Sequence, residues 1–226
     1  MRVSHLQKKA AREIIATTLH NIANDDKAAA QSWADLRDHI SQPAVNFAYT
    51  ICNLDTRQYD IKRPPVEPVN HDNFTVISNQ TYQTRDGVHP IPDRLVPPHT
   101  MSAFTELNQA MKNDIGRQVV VQSGYRSPAY QLFVFLFQLQ RNDWDIEKTI
   151  KRVALPGRSQ HASRKQALDL RAKQFLGTHN GYDFSRTAEF RWLQDRAGEF
   201  GFTLSYPQGN GTNTQFEPWH WRHVQV

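Results

Sequence analysis

The sequence predicts an α+β fold: a small antiparallel sheet with flanking helices, preceded by a helical extension. Three observations carry this prediction. Short strand-like runs cluster in the second half of the chain and alternate with helical stretches, as in α+β domains. The stretch 62–98 holds seven of the twelve prolines and separates that half from an N-terminal part that reads as helix. With 226 residues, 38% of them hydrophobic, the chain can bury one substantial core, or one domain plus an extension.

Residues 6–40 read as helix. Leu6, Ala10, Ile14 and Leu19 keep an approximate stripe, Asn24-Asp25-Asp26 breaks it, and Ala28 to Ile40 resumes it. Proline fixes φ and removes ladder donors, so 62–98 is expected to be extended and poor in regular structure. The domain boundary falls inside it, giving a helical extension at 1–65 and a main domain at 66–226. Met101 to Asn113 places Phe104, Leu107 and Met111 on one helical face. Gln118-Val-Val-Val-Gln-Ser123 is β-branched and reads as a strand. Helices are expected over Pro128 to Gln140 and Asp145 to Val153. Gln166-Ala-Leu-Asp-Leu-Arg171 alternates as a strand. Thr187 to Phe200 reads as a helix stopped by Gly201, and Phe202 to Tyr206 and Trp219 to Val224 as the last strands.

Composition narrows the function. Net charge is +5, from 27 basic and 22 acidic residues spread along the chain, so no nucleic-acid arm is read. Cys52 is the lone cysteine, which excludes an intrachain disulfide and a cysteine zinc site and leaves it as a small buried residue. The most apolar run, Leu132-Phe-Val-Phe-Leu-Phe137, is far shorter than the roughly 20 residues of a membrane span. Met1 to Lys9 shows no apolar signal core. A cytoplasmic protein is therefore expected, or one in the cell envelope or periplasm if an export signal was trimmed or another route serves. The oligomeric state is not set by the sequence.

Three stretches carry candidate chemistry: Ser123-Gly-Tyr-Arg-Ser127, Pro156-Gly-Arg-Ser-Gln-His161 through Asp169, and Glu217-Pro-Trp-His220. His161, Asp169 and His220 supply two imidazoles and one carboxylate, a set that leaves one zinc position open for water. Asp169 sits on a strand whose neighbours Leu168 and Leu170 point to the other face, and a carboxylate there needs a partner. Glu217 stands three residues before His220. On a regular strand the two would face opposite ways, so Pro218 is expected to mark a bulge or loop end that lets base and ligand converge. Arg126 follows a strand and a glycine that permits a tight turn, and its guanidinium can grip a carboxylate or a developing oxyanion. Each residue also has an ordinary reading: a satisfied structural histidine, an Asp169 paired with Arg171, a surface Arg126. His5, His20, His39, His71, His89, His99, His179 and His223 have no clear partner. His223 competes with His220 but should face the other way.

The ordered combination changes that balance. Ser-Gly-Tyr-Arg-Ser, then Pro-Gly-Arg-Ser-Gln-His with Ala-Leu-Asp-Leu, then Gly-Phe-Thr-Leu-Ser-Tyr-Pro, then Glu-Pro-Trp-His-Trp-Arg resembles the D-alanyl-D-alanine carboxypeptidase family of zinc peptidases. This family includes the vancomycin-resistance carboxypeptidases and bacterial L,D-carboxypeptidases. The resemblance runs from about Pro92 to Val226 and is not read in residues 1–65. It implies a Zn2+ cofactor held by His161, Asp169 and His220. Glu217 becomes general base and acid, activating a zinc-bound water, and Arg126 stabilises the substrate carbonyl or oxyanion. Gln131 and Ser159 match substrate-holding positions, and Trp219 walls the pocket. The implied partners are peptidoglycan stem peptides, and the implied reaction removes a C-terminal D-alanine. A phage-type or wall-lytic endopeptidase with the same site, and a non-catalytic wall-binding module, are the alternatives.

One departure stands out. The family pattern places aspartate seven residues after the first histidine, with a glycine between; here His161 to Asp169 spans eight, with Arg164 and Lys165 where the family has a small residue. A loop absorbs one residue at little entropic cost, but the turn must change. The added positive charge would favour an anionic substrate.

Overall fold

The computed structural model of the chain describes residues 3–24, 28–67, 74–174 and 184–224. In chain order the helices are α1 (His5–Asn24), α2 (Trp33–Arg37), α3 (Gln42–Cys52), α4 (Pro98–Ile115), α5 (Pro128–Arg141), α6 (Ile146–Ile150) and α7 (Ala188–Arg196). The strands are β1 (Thr75–Ile77), β2 (Gln80–Thr84), β3 (Gly87–Ile91), β4 (Arg94–Val96), β5 (Val119–Ser123), β6 (Ala167–Ala172), β7 (Phe202–Leu204) and β8 (His220–His223). Contacts group them into two units, one of 1–66, 126–162 and 210–215, the other of 67–125, 163–209 and 216–226.

The first unit is helical. Ile14 of α1, Leu36 of α2, Ile51 of α3 and Leu132, Phe135, Leu136 and Leu139 of α5 are fully buried in one core. Full burial of each such side chain contributes about 1.5–3 kcal/mol. The N-terminal helices thus share their core with α5 and α6.

Two sequence expectations change here. Ala28 to Ile40 is not a continuous helix: a single 3-10 turn, Ala28–Ala30, precedes α2. Ser32 restarts the helix with a capping box. Its Oγ accepts from the Asp35 N–H at 3.1 Å, and Asp35 Oδ2 accepts from the Ser32 N–H at 2.8 Å. The break read at Asn24-Asp25-Asp26 falls mostly outside the described residues. The stretch expected to run to Val153 is also shorter, since α6 is capped by Asp145 and ends at Ile150. Helix α3 went unread although Ser41-Gln-Pro43 marks its start and Ala44, Phe47, Ala48 and Ile51 line its buried face.

The second unit holds a four-stranded antiparallel sheet in the order β5-β6-β8-β7. Leu107 and Met111 of α4, Trp192 and Leu193 of α7, and Val119, Val121, Leu168, Leu170, Phe202 and Trp221 of the sheet form its core. The prediction of helix from Thr187 to Phe200 resolves into α7, capped by the Thr187 hydroxyl, and a 3-10 turn, Ala197–Phe200, closed by left-handed Gly201.

Residues 74–96 correct the expectation of little regular structure. They form two antiparallel ribbons, β1 with β4 and β2 with β3. Pro90 is tolerated because β3 pairs on one side only. The ribbons and α4 together finish the sheet edge. The Val119 N–H donates to Asn108 Oδ1 and its carbonyl accepts from Asn108 Nδ2, both at 2.9 Å. Gln80 does the same for Val121, at 2.8 and 3.1 Å, and Arg94 Nε donates to the Gln122 carbonyl. Side-chain amides thus replace a fifth strand and protect the edge from pairing with another chain.

Candidate metal centre

Asp169 sits at the middle of the sheet. Leu168 and Leu170 on either side of it are buried in the core, so the alternation of β6 sends Asp169 to the opposite face. It stands opposite Ser123 on β5 and opposite His220 on β8. The β5 register slips between Val121 and Ser123, an extra residue that bends the strand beside Asp169. His220 shares the face of Asp169 because its neighbour Trp221 points into the core. His220 Nδ1 lies 3.0 Å from Asp169 Oδ1.

Glu217 reaches the same spot through a turn at Pro218-Trp219. The His220 N–H donates to the Glu217 carbonyl at 3.1 Å, and Trp221 Nε1 donates to the Pro218 carbonyl at 2.9 Å. The chain therefore turns just before β8, and two side chains three residues apart converge. Glu217 Oε2 is 3.7 Å from His220 Nδ1, and Glu217 is only 8% exposed. Two carboxylates close to one imidazole in a largely buried place favour a bound cation.

His161 lies in the 3-10 turn Gln160–Ala162 and is buried. Ser159 Oγ accepts from the His161 N–H at 3.3 Å, and the Arg126 N–H donates to the His161 carbonyl at 3.3 Å. After His161 the chain turns, and the Lys165 N–H donates to Ser163 Oγ at 3.2 Å. Arg164 is tied to Glu67 by a backbone hydrogen bond of 2.9 Å.

One donor atom from each of His161, Asp169 and His220 lies within 4.8 Å of the others. Two nitrogens and one oxygen are the donor set of a hydrolytic zinc centre, with a position left for water. Tetrahedral ligands at about 2.0–2.1 Å stand roughly 3.3–3.4 Å apart, close to the 3.0 Å between Asp169 and His220. The donor set and this spacing suit the ion.

The other residues named from sequence fall as follows. Arg126 is half-buried and opens the corner that leads into α5. The next residue, Ser127, is fixed by the N-terminal region: its N–H donates to the Ala29 carbonyl at 2.8 Å and its hydroxyl to the Gln31 carbonyl at 2.7 Å. Its Oγ also caps α5 by accepting from the Tyr130 N–H at 3.0 Å. Gln131 is buried on α5 with Nε2 bonded to the Ala154 carbonyl at 2.8 Å. Trp219 is partly buried against the core of the sheet unit.

Gly124 was read as permitting a tight turn. Its role is different: its φ is ordinary, and a Cβ there would stand 2.5 Å from the Leu95 carbonyl oxygen. The glycine permits close backbone approach, sealed by a 2.7 Å hydrogen bond from the Tyr125 N–H to Leu95.

Tyr206 carried no role in the sequence reading. It is buried, its ring centre lies 5.1 Å from that of His220, and its carbonyl accepts the Glu217 N–H at 3.1 Å. It therefore braces Glu217 and His220 together. His223 faces away from His220, as its position in β8 dictates, and packs on Phe202 and His99. His71 and His179 lie outside the described residues. Cys52 is half-buried, and burial pushes its thiol up to about 12, which removes it as a nucleophile.

Fold and site together define a class: an α+β protein that gathers two histidines and an aspartate, beside a glutamate, into a candidate metal centre. The chain belongs to the D-alanyl-D-alanine carboxypeptidase (VanY) family, whose model matches residues 93–226. It is 28% identical over 176 residues to YodJ of Bacillus subtilis (strain 168), a protein named for carboxypeptidase activity. That match covers 69% of this chain and spans 61% of the length of YodJ. It is 26% identical to VanXYC of Enterococcus gallinarum, a bifunctional D-Ala-D-Ala dipeptidase and D-Ala-D-Ala carboxypeptidase, over 64% of this chain and 83% of that one. Among solved structures, the LD-carboxypeptidase LdcB superposes with a TM-score of 0.56 at 25% identity, covering 73% of this chain and 74% of LdcB.

Proposed function

We propose that this chain is a zinc-dependent carboxypeptidase that removes a C-terminal D-alanine from peptidoglycan stem peptides. The observation that carries this reading is the gathering of His161, Asp169 and His220 with Glu217 beside His220. The family supports the substrate class, as do a relative named for cleavage of D-Ala-D-Ala and a structural neighbour that is an LD-carboxypeptidase.

His161, Asp169 and His220 would hold the ion. Zinc, when bound, supplies a Lewis acid that acidifies water and polarises a carbonyl. The Glu217 carboxylate takes a proton from the attacking water and returns it to the nitrogen of the departing D-alanine. The Pro218 turn and Tyr206 hold that carboxylate in reach, so the proton moves without a search. The Arg126 guanidinium donates to the developing oxyanion or to the terminal carboxylate of the peptide. Ser159, Gln131 and Trp219 are assigned to the substrate side of the site. Glu217 is what separates an enzyme from a wall-binding module, because a binder has no use for a base.

No described helix is long and apolar enough to cross a membrane, and the substrate sets the place of action at the cell envelope. The test is mass spectrometry of pentapeptide, tetrapeptide and cross-linked stems after incubation with the zinc-loaded protein, beside Glu217→Gln. Loss of one alanine by the parent alone is expected, and the stem that reacts names the bond. Cleavage only within cross-links would replace the carboxypeptidase with an endopeptidase. Intact stems with folded, zinc-loaded protein would leave a binding module.

A further inference from the structure

The first unit carries a second feature that the peptidase reading does not use. A cleft of about 820 Å³ runs beside the 3-10 turn Thr56–Tyr59 and the segment 61–64. Arg57, Lys62, Arg63 and Arg158 line it against one carboxylate, Asp55. Basic residues elsewhere are spread along the chain, so four cations on one cleft are a local concentration.

Two of these cations are held in place. Arg63 is 5% exposed and its Nη1 donates to the Ile150 carbonyl at 3.0 Å. Arg158 in turn donates through Nη1 to the Arg63 carbonyl. Two guanidinium groups are therefore anchored to backbone carbonyls, which fixes their direction. Pro64 and Pro65 stiffen the chain after Arg63. Lys62 has its backbone N–H bonded to the Thr212 carbonyl at 3.3 Å and its side chain exposed at the rim. Asp55 lines the same cleft and is paired there with Arg57, which holds it through Nε and Nη2, both at 2.9 Å; its oxygen also accepts the Arg57 N–H at 3.0 Å.

Preset guanidinium forks match the oxygens of phosphate, and a flexible ammonium at the rim adds a point charge. Leu54, Ile61 and Pro64 line the same cleft, giving an apolar wall for a carbon skeleton. We infer that this cleft binds a phosphate ester, its phosphate held by Arg158 and Lys62 and its organic part against Leu54, Ile61 and Pro64. Asp55 tempers the site as a competing anion. This inference is independent of the peptidase reading, because none of these residues has a place in the candidate metal centre.

The experiment is calorimetric titration of the full chain at constant ionic strength. The probes are inorganic phosphate, glycerol phosphate, a glycerol-phosphate oligomer and sulfate. Saturable one-to-one binding of glycerol phosphate, tighter than inorganic phosphate and sulfate, is expected. Loss of a charge-assisted hydrogen bond should weaken it about tenfold in Arg158→Gln, and loss of a rim charge about threefold in Lys62→Gln. Asp55→Asn keeps a good helix cap and should tighten binding a few-fold. Lys62→Gln alters only an exposed side chain, so its result stands even if Arg158→Gln unfolds. Tighter binding of the oligomer than of glycerol phosphate would identify a phosphodiester polymer as the source, and the reverse a small monoester. Absence of saturable binding would overturn the inference. So would equal binding of sulfate, unchanged affinity in both cation variants, or weaker binding in Asp55→Asn.

Discussion

Gly124→Ala tests how the strand that leads to Arg126 is built. The new Cβ would start 2.5 Å from the Leu95 carbonyl oxygen, with Val96 Cγ1 at 3.2 Å. Both neighbours belong to β4, and the oxygen is backbone, so no side-chain rotation relieves the clash. Reaching ordinary contact means moving the strands apart by about 0.9 Å. That shift stretches the 2.7 Å hydrogen bond from the Tyr125 N–H to Leu95 past useful length. The lost bond costs about 1 kcal/mol and the forced packing about 1–3 kcal/mol. A central value of about 3 kcal/mol lowers Tm by about 6–12 °C in a chain of this size. The assay is urea unfolding beside thermal melting, with Gly198→Ala as the paired control. Gly198 lies in a 3-10 turn with no atom within 4 Å of the added Cβ. Its substitution should be neutral or stabilising by about 0.5–1 kcal/mol. Parental stability in Gly124→Ala, or equal losses in both variants, would refute the close-approach reasoning.

Two further outcomes follow from the same sheet. Burial, reinforced by the nearby His99, holds the His223 imidazole down at about 4 from an ordinary 6.5. The folded state keeps it neutral while the unfolded chain takes up a proton first. Stability is therefore full above about pH 6.5 and falls as pH drops toward 4, by up to about 3 kcal/mol. His223→Phe should flatten that part of the pH–stability curve, and an unchanged slope would assign it to other groups. Asn108→Ala removes both side-chain hydrogen bonds from Val119. It should cost about 1–3 kcal/mol and speed amide hydrogen exchange at Val119, and unaltered exchange there would deny the amide its role as edge cap.

Much of this molecule is legible in its residues. Helices α4 and α5 and strands β5 and β6 follow from stripes and β-branched runs, because local periodicity and tertiary burial agree there. The cluster of His161, Asp169 and His220 was readable from donor chemistry and motif order. Other features were hidden for identifiable reasons. Pro64, Pro65, Pro68, Pro90, Pro92, Pro97 and Pro98 argue against strands, yet β3 accommodates Pro90 by pairing on one side only. The Asp86-Gly87 pair was the local sign of the β2–β3 hairpin. Ser32 marks a helix start inside an apolar run, which periodicity alone reads through. The amide caps of Asn108 and Gln80, and the brace that Tyr206 gives Glu217 and His220, depend on partners 11 or more residues away. No local pattern announces them.

The central claim is that three residues hold the ion and a fourth does the proton chemistry. The most direct test is zinc content after exhaustive dialysis, measured beside stem-peptide cleavage, for the parent and for His161→Ala, Asp169→Ala, His220→Ala and Glu217→Gln. One zinc per chain is expected in the parent and in Glu217→Gln, with little in the other three and cleavage by the parent alone. Full zinc content in a ligand variant, or zinc with undiminished cleavage in Glu217→Gln, would contradict it.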